Sequence, residues 1–267
     1  MNSQKKTTLL QKWHSKYDNY MNNAKLIAYC PCHYGKPFLK EAIQSVEPFV
    51  ERIIILYSAE PSYGFGTHTH CPDSEQELHD IAVNASPKVE WYKIAVGTEG
   101  DHRAYIYNFT DGYDGILAFD ADEVFDQNDL PNAIDLAMKS DKRYIGFAGF
   151  INFWKSFNWA CYDGFTPIRF INLHNPAGEG VVPCKVYHFS TAQDSELIKY
   201  KLLVHGHKDE IRTNWFSDIY MKWEPGMEIE NGVHLVAFGI WVPIFFDKIT
   251  LPESLKQHPY YNLDVIP

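Results

Sequence analysis

One stretch limits what this chain can become. Residues 115 to 125 read GILAFDADEVF, an apolar run that ends abruptly in three carboxylates, Asp120, Asp122 and Glu123. A short apolar run behind a glycine predicts a buried parallel strand, and the acids predict a site at its carboxyl end. Open α/β sheets bind their ligands there. On a continuing strand Asp120 and Asp122 share a face, and two oxygen donors on one face suit a hard divalent cation, Mg²⁺ or Mn²⁺. A nucleoside diphosphate would complete the coordination. The same pattern also serves as an ordinary strand end, because Asp is a frequent capping residue.

The chain before this stretch alternates β and α signals. KLIAYC (25–30) and ERIIILYS (51–58) read as strands. Between them FLKEAIQSVEPFV carries Phe38, Ala42, Ile43, Val46 and Val50 at helical spacing and closes near Pro48. Strand, helix and strand in about thirty residues form a βαβ unit. SEQELHDIAVNA, capped by Asp73 or Ser74, is a second helix, and VEWYKIAV (89–96) a third strand. The long loop EPSYGFGTHTHCPD (60–73) is of a length usually kept for function. Residues 1–23 read as a polar helical lead-in. This order predicts a doubly wound, mostly parallel sheet.

After Asp129 the character changes. LPNAIDLAMKS is a helix with Pro131 near its start. YIGFAGFINFW (144–154), TPIRFINL (166–173) and KVYHFS (185–190) are strands joined by turn-rich segments, which predicts a partly antiparallel extension. TAQDSELIKYKLLVHGHKDE is helical, with Ser190 or Thr191 as cap and Leu197, Tyr200, Leu203 and Val204 on one face. The apolar run VHLVAFGIWVPIFF (233–246) is too short for a membrane helix and reads as buried core.

Three motifs occur in order: AIQSV in the first helix, DADE at 120–123, and VYHFS at 186–190. A hydrophobic strand delivering Asp-x-Asp-Glu resembles the corresponding element of glycosyltransferases with the GT-A fold, particularly the family-2-like enzymes. The resemblance spans roughly residues 24 to 210. It implies an α/β fold of GT-A (Rossmann-like) type in a single domain, 1–267. Residues 24–122 form the nucleotide-sugar-binding half; 123–267 form a mixed acceptor half with a C-terminal extension. It implies transfer of a sugar from a nucleoside diphosphate sugar to an acceptor hydroxyl, on a glycan, a lipid-linked glycan, a protein or a modified nucleobase. Mn²⁺ or Mg²⁺ would be the cofactor.

The resemblance also assigns roles. Asp120, Asp122 and His188 become metal ligands, with His205 and His207 as alternatives to His188. A lone strand histidine is otherwise a hydrogen-bonded core residue. Cys32, His33 and Tyr57 fall where the nucleoside is received, although Tyr57 is equally a core aromatic. Ala59 and Glu60 stand where many members carry one nucleoside-binding acid. Arg103 falls near the diphosphate, which a guanidinium grips in bidentate fashion. An inverting transfer needs a general base. Asp163 and Glu179 are the candidates. Asp163 lies among Trp154, Trp159 and Tyr162, aromatics suited to seating an acceptor.

The totals set limits. Thirty-four acids against 24 bases give a net charge of −10, which disfavours a nucleic-acid partner. The first twenty residues contain no apolar core of signal-peptide length, and five cysteines, an odd number, point to free thiols in a reducing compartment. A cytoplasmic protein without a membrane span is the expectation. A nucleotidyltransferase is the alternative enzyme, but CPCHYGKP offers only Lys36 as a phosphate-loop cation. A non-enzymatic alternative is a zinc-stabilised module drawing four ligands from Cys30, Cys32, His33, His68, His70 and Cys71.

Overall fold

The computed structural model describes residues 24–61, 69–95 and 97–267. The lead-in at 1–23 and His68 lie outside them. Strands β1 (Leu26–Cys32), β2 (Arg52–Tyr57), β3 (Val89–Lys93) and β4 (Gly115–Ala118) form a parallel half in the order β3-β2-β1-β4. Helix α1 (Leu39–Val46) joins β1 to β2. Helix α2 (Glu75–Ala85) precedes β3; Ser74 accepts from Glu77 N while Glu77 bonds back to Ser74 N, a reciprocal cap that fixes its start. Strands β1, β2 and β4 are buried on both faces, while β3 at the edge is only half-buried. Ala28, Cys30, Ile53, Ile55 and Leu117 pack towards α1, α2 and α4 (Leu130–Lys139). Their alternate neighbours Ile27, Tyr29, Ile54, Leu56 and Ile116 pack on the opposite face around Ile106. Period-two alternation with both faces apolar is what a sheet covered on two sides requires.

The second half adds β5 (Glu123–Phe125), β6 (Tyr144–Trp154), β7 (Trp159–Cys161), β8 (Ile168–Asn172), β9 (Glu179–Thr191) and β10 (Ile244–Phe245) to the same sheet. β8 runs antiparallel between β4 and β6, and β9 pairs parallel to β6 and antiparallel to β5. The fold is therefore α/β, with a parallel half continued by a mixed half. β9 is longer than the strand read at 185–190, and β7 lies in one of the turn-rich segments between predicted strands.

Three local expectations are corrected. The strand carrying the acids stops at Ala118, and residues 119–122 turn before β5 begins. Glu123 N donates to Asp120 O (3.1 Å) and Asp120 N to Glu123 Oε2 (3.2 Å), closing that turn. Helix α5 (Ser195–Val204) is capped by Asp194, whose Oδ1 accepts from Leu197 N at 2.9 Å, and not by Ser190 or Thr191. Its buried side chains are Leu197, Ile198, Tyr200 and Val204, while Leu203 is exposed. The run at 233–246 is not core: Val233 and Trp241 are buried, but Phe238, Val242, Ile244 and Phe245 are exposed along an edge strand and its approach. An edge strand of two residues cannot cover both of its faces. Among the described residues no helix is long and apolar enough to cross a membrane.

Candidate active site

Five segments converge at the carboxyl ends of β1 and β4. They are the loop after β1, the turn after β4, the short helix α3 (Glu99–Ala104), the end of β9 and the last turns of α5. They enclose a cleft of about 270 Å³. The loop approaches because residue 35 is glycine: its φ is +128°, and a Cβ there would sit 2.4 Å from Ala121 Cβ. Gly35 N and Lys36 N both donate to buried Asp73, at 2.7 and 2.9 Å, which pins the loop from behind.

The turn sends its two aspartates to different partners. Asp120 Oδ1 accepts from Arg103 Nη2 at 3.2 Å, and Oδ2 from Arg169 Nη2 at 2.9 Å. Arg169 also donates through Nε to Glu123 Oε2 at 2.6 Å, and through Nη2 to Glu123 Oε1. Glu123 and Arg169 are both buried. Burial opposes the Asp120 charge, but Arg103 and Arg169 outweigh it and hold the carboxyl well below the usual carboxylate range.

Asp122 faces the other way. Its Oδ2 accepts from Gln193 Nε2 and Lys201 Nζ, both at 3.2 Å, leaving Oδ1 3.8 Å from His188 Nε2. Burial again opposes the charge, and the Lys201 ammonium leads what overcomes it, so the carboxyl stays below its ordinary value. His188 Nδ1 donates to Asn152 Oδ1 at 2.7 Å. With Nδ1 engaged there, His188 turns Nε2 towards Asp122.

The divalent ion that the resemblance implies can be tested on these donors. Asp122 Oδ1 and His188 Nε2 fit it: a carboxylate oxygen and an imidazole nitrogen suit Mn²⁺ or Mg²⁺ when diphosphate oxygens and water supply the rest. Asp120 does not fit as a direct ligand, because guanidinium groups occupy both of its oxygens. No group of three or more His, Cys, Asp or Glu side chains among the described residues is arranged to hold a metal alone.

The other predicted residues fall in several places. Arg103 lines the cleft, its Nε tied to Glu99 at 2.8 Å. His33 also lines it, donating through Nδ1 to Ser58 O (2.8 Å) and accepting at Nε2 from Tyr200 Oη (2.7 Å). Cys32 is wholly buried and its carbonyl accepts from Ser58 N at 2.9 Å, so neither its thiol nor that carbonyl faces the cleft open-handed. Tyr57 stacks on Trp91 (5.2 Å between centroids) and is core. Asp163 does not reach the cleft: Trp241 Nε1 donates to its Oδ2 at 2.6 Å and Phe165 N to its Oδ1 at 3.0 Å. Glu179 begins β9, roughly 30 Å of extended strand from His188, and is exposed there. Trp154 is wholly buried against Trp215 and Tyr220, so it seats no ligand.

His205 lines the cleft beside Lys201, and burial, helped by Lys201, lowers its pKa to about 4. Its Nδ1 accepts from His207 N at 3.0 Å, which leaves Nε2–H to donate. His207 pairs with Glu210 at 3.3 Å on the surface. Of the zinc set, Cys30 and Cys32 are buried thiols and Cys71 Sγ contacts His33 O at 3.8 Å, so the described members form no tetrahedral site.

Sequence reasoning missed Arg169, Lys201, Asn152 and Gln193. Arg169 and Asn152 each left a signal, a lone polar residue inside an apolar strand (PIRFIN and GFINFW). Lys201 left none.

No protein-family model and no curated protein sequence matches the chain. Solved structures with a similar fold include two enzymes. 4-Diphosphocytidyl-2C-methyl-D-erythritol synthase from Anaerococcus prevotii is 10% identical over 67% of this chain and 95% of its own, with a TM-score of 0.43. Glucosyl-3-phosphoglycerate synthase from Mycobacterium tuberculosis, in complex with Mn²⁺ and UDP-glucose, is 10% identical with a TM-score of 0.34; it covers 51% of this chain, which spans 47% of that enzyme. A second structure of the same enzyme gives 10% identity, 51% and 48% coverage and a TM-score of 0.35.

Proposed function

We propose that this chain is a GT-A-type glycosyltransferase that takes its sugar from a nucleoside diphosphate sugar. One observation carries the reading. At the carboxyl ends of the parallel strands, the donor pair Asp122 Oδ1 and His188 Nε2 faces a cleft that Arg103 and Lys201 also line. Cation ligands and cationic side chains in one cleft suit a diphosphate that arrives with a metal ion.

When bound, the divalent ion would neutralise the leaving diphosphate. Asp122 and His188 would hold it. Arg103, oriented by Glu99 and Asp120, presents its guanidinium to phosphate oxygens. Lys201 adds a second positive charge, and His205 offers its Nε2–H as a donor. Tyr34 stays a neutral phenol, since burial and the charges of Asp122 and Asp120 push its pKa up. Inversion with Asp163 or Glu179 as base has no support in their positions, and the acids lining the cleft, Glu99, Asp120 and Asp122, are each paired with Arg or Lys.

The nucleotidyltransferase alternative would use Lys36 on triphosphate, but Lys36 Nζ binds Glu77 at 3.0 Å. Calorimetric titration of nucleoside diphosphates and triphosphates, with and without Mn²⁺, separates the readings. Metal-dependent diphosphate binding that Asp122→Ala and His188→Ala both abolish is the expected result. Binding of triphosphates alone, or of no nucleotide, overturns it.

A further inference from the structure

Asp163 is not idle in its position away from the cleft. Its carboxylate is held by Trp241 Nε1 (2.6 Å) and Phe165 N (3.0 Å), and its Oδ2 also lies 3.4 Å from Asn152 Nδ2. Asn152 is buried on β6, directly beside His188 on parallel β9 and opposite Cys161 on β7. Its other amide atom, Oδ1, lies 2.7 Å from His188 Nδ1. Four side chains thus run in line from the C-terminal segment to the cleft: Trp241, Asp163, Asn152, His188.

The chemistry of these four groups allows one arrangement. An ionised carboxylate only accepts, so Asn152 must turn its NH₂ towards Asp163. Turning the amide round would set its oxygen against a carboxylate oxygen. With NH₂ committed to Asp163, Oδ1 faces His188, and an amide oxygen also only accepts. His188 must then carry a proton on Nδ1, and in the neutral ring that leaves Nε2 bare. Free imidazole has no such obligation; here each group dictates the polarity of the next. The indole N–H of Trp241 donates to the same Asp163 oxygen and holds the carboxylate where Asn152 meets it.

We infer that Trp241, Asp163 and Asn152 are positioning residues that lock His188 in its Nδ1–H tautomer, keeping the Nε2 lone pair directed at Asp122. The value of this lock to metal binding rests on the glycosyltransferase reading; the lock itself does not. Outer hydrogen bonds of this kind set the orientation of imidazole ligands, and losing one typically costs about tenfold or more in metal affinity. Trp241 lies between exposed stretches of the C-terminal segment, with Phe238 before it and Val242 after it. The relay therefore couples the packing of that segment to the state of His188.

The test is a two-bond ¹⁵N–¹H correlation spectrum of ¹⁵N-histidine-labelled, metal-free protein, with the His188 signals assigned by His188→Gln. The native protein, at a pH where the ring is neutral, is expected to show His188 protonated at Nδ1 only. In Asn152→Ala the signals should move towards the Nε2–H form, and Trp241→Phe, which keeps a packed ring, should move them part of the way. Mn²⁺ titration followed by the same histidine signals should weaken about tenfold in Asn152→Ala. His188 protonated at Nε2 in the native protein, or a tautomer unmoved in both variants, overturns the inference. A native protein with the Nδ1–H tautomer, shifted as described by both variants, but with no Mn²⁺ binding leaves the lock standing and removes the metal reading.

Discussion

Asp120 and Asp122 leave one turn and end on different cations, the first on Arg103 and Arg169 and the second on Lys201. Two acids of one sequence motif therefore do different work. Asp120 ties the turn to the protein through guanidinium groups, and Asp122 remains beside His188 with one oxygen in hand. The break in the strand at Ala118 makes the division possible, because a turn rotates side chains that a continuing strand would hold on one face.

The Glu123–Arg169 pair anchors this turn, and its removal should cost the whole protein stability. Both side chains are buried, so Glu123→Ala leaves a guanidinium with only Asp120 to neutralise it. We expect a loss of roughly 3–5 kcal/mol in urea unfolding. The double variant Glu123→Leu with Arg169→Met should recover most of it, since the apolar pair carries no charge and Arg103 still compensates Asp120. A double variant no more stable than Glu123→Ala would show that the pair's worth is not electrostatic.

Gly35 should tolerate no side chain. Its φ of +128° and the 2.4 Å approach to Ala121 Cβ mean that Gly35→Ala must push the loop off the aspartate turn. The expected cost is about 1–3 kcal/mol in stability, accompanied by weaker nucleotide binding because the cleft wall moves. Gly112, with φ +81° and nothing within 4 Å of where a Cβ would stand, is the control: Gly112→Ala is strained by its backbone alone and should leave nucleotide affinity unchanged. Calorimetry on both variants decides between them.

The parallel half is legible in the sequence because burial on both faces leaves an unmixed apolar signal. LIAYC, RIIILY and GILA each lie inside the predicted runs, and the helices between them carry clear periodicity and a capping box. What the sequence conceals is long-range pairing. Nothing local tells that Arg169 returns to Asp120 and Glu123, or that Lys201 reaches Asp122 across the fold. Asp163 reads as a base because aromatics surround it in sequence. In space Trp241, far along the chain, binds it. The apolar run at 233–246 misleads for a related reason: hydrophobicity counts residues, and an edge position decides which of them find cover.

Acid should destabilise the protein from near neutrality. His33, His102, His205 and His258 all have lowered pKa values, each chiefly through burial, and that of His205 lies at about 4. An unfolded histidine takes its proton near pH ~6.5. Below that the unfolded chain binds protons that the native one refuses, so stability is complete above about pH 6.5 and falls as the pH drops through the window below it. Each such proton contributes a slope of up to about 1.4 kcal/mol per pH unit. Urea midpoints measured from about pH 8 to about pH 4.5 should be level at first and then decline, and His102→Gln should shallow the decline. Midpoints constant down to about pH 5 would contradict the burial of these rings.

Lys201 yields the sharpest test of the proposed reaction, because it acts on the two ligands with opposite sign. Its ammonium sits 3.2 Å from Asp122 Oδ2 and 2.9 Å from Ser190 Oγ, at the wall of the cleft. It competes with a divalent ion for the charge of Asp122, and it attracts a diphosphate. Lys201→Met keeps the stem and removes the charge. Mn²⁺ alone should then bind more tightly, since the carboxylate no longer has a resident cation. A nucleoside diphosphate should bind about tenfold more weakly, the loss of one charge-assisted contact. A variant that weakened or strengthened both ligands together would mean that Lys201 shapes the cleft without distinguishing metal from phosphate. Opposite shifts, read in one set of titrations, would place a metal ion beside Asp122 and the diphosphate beside Lys201.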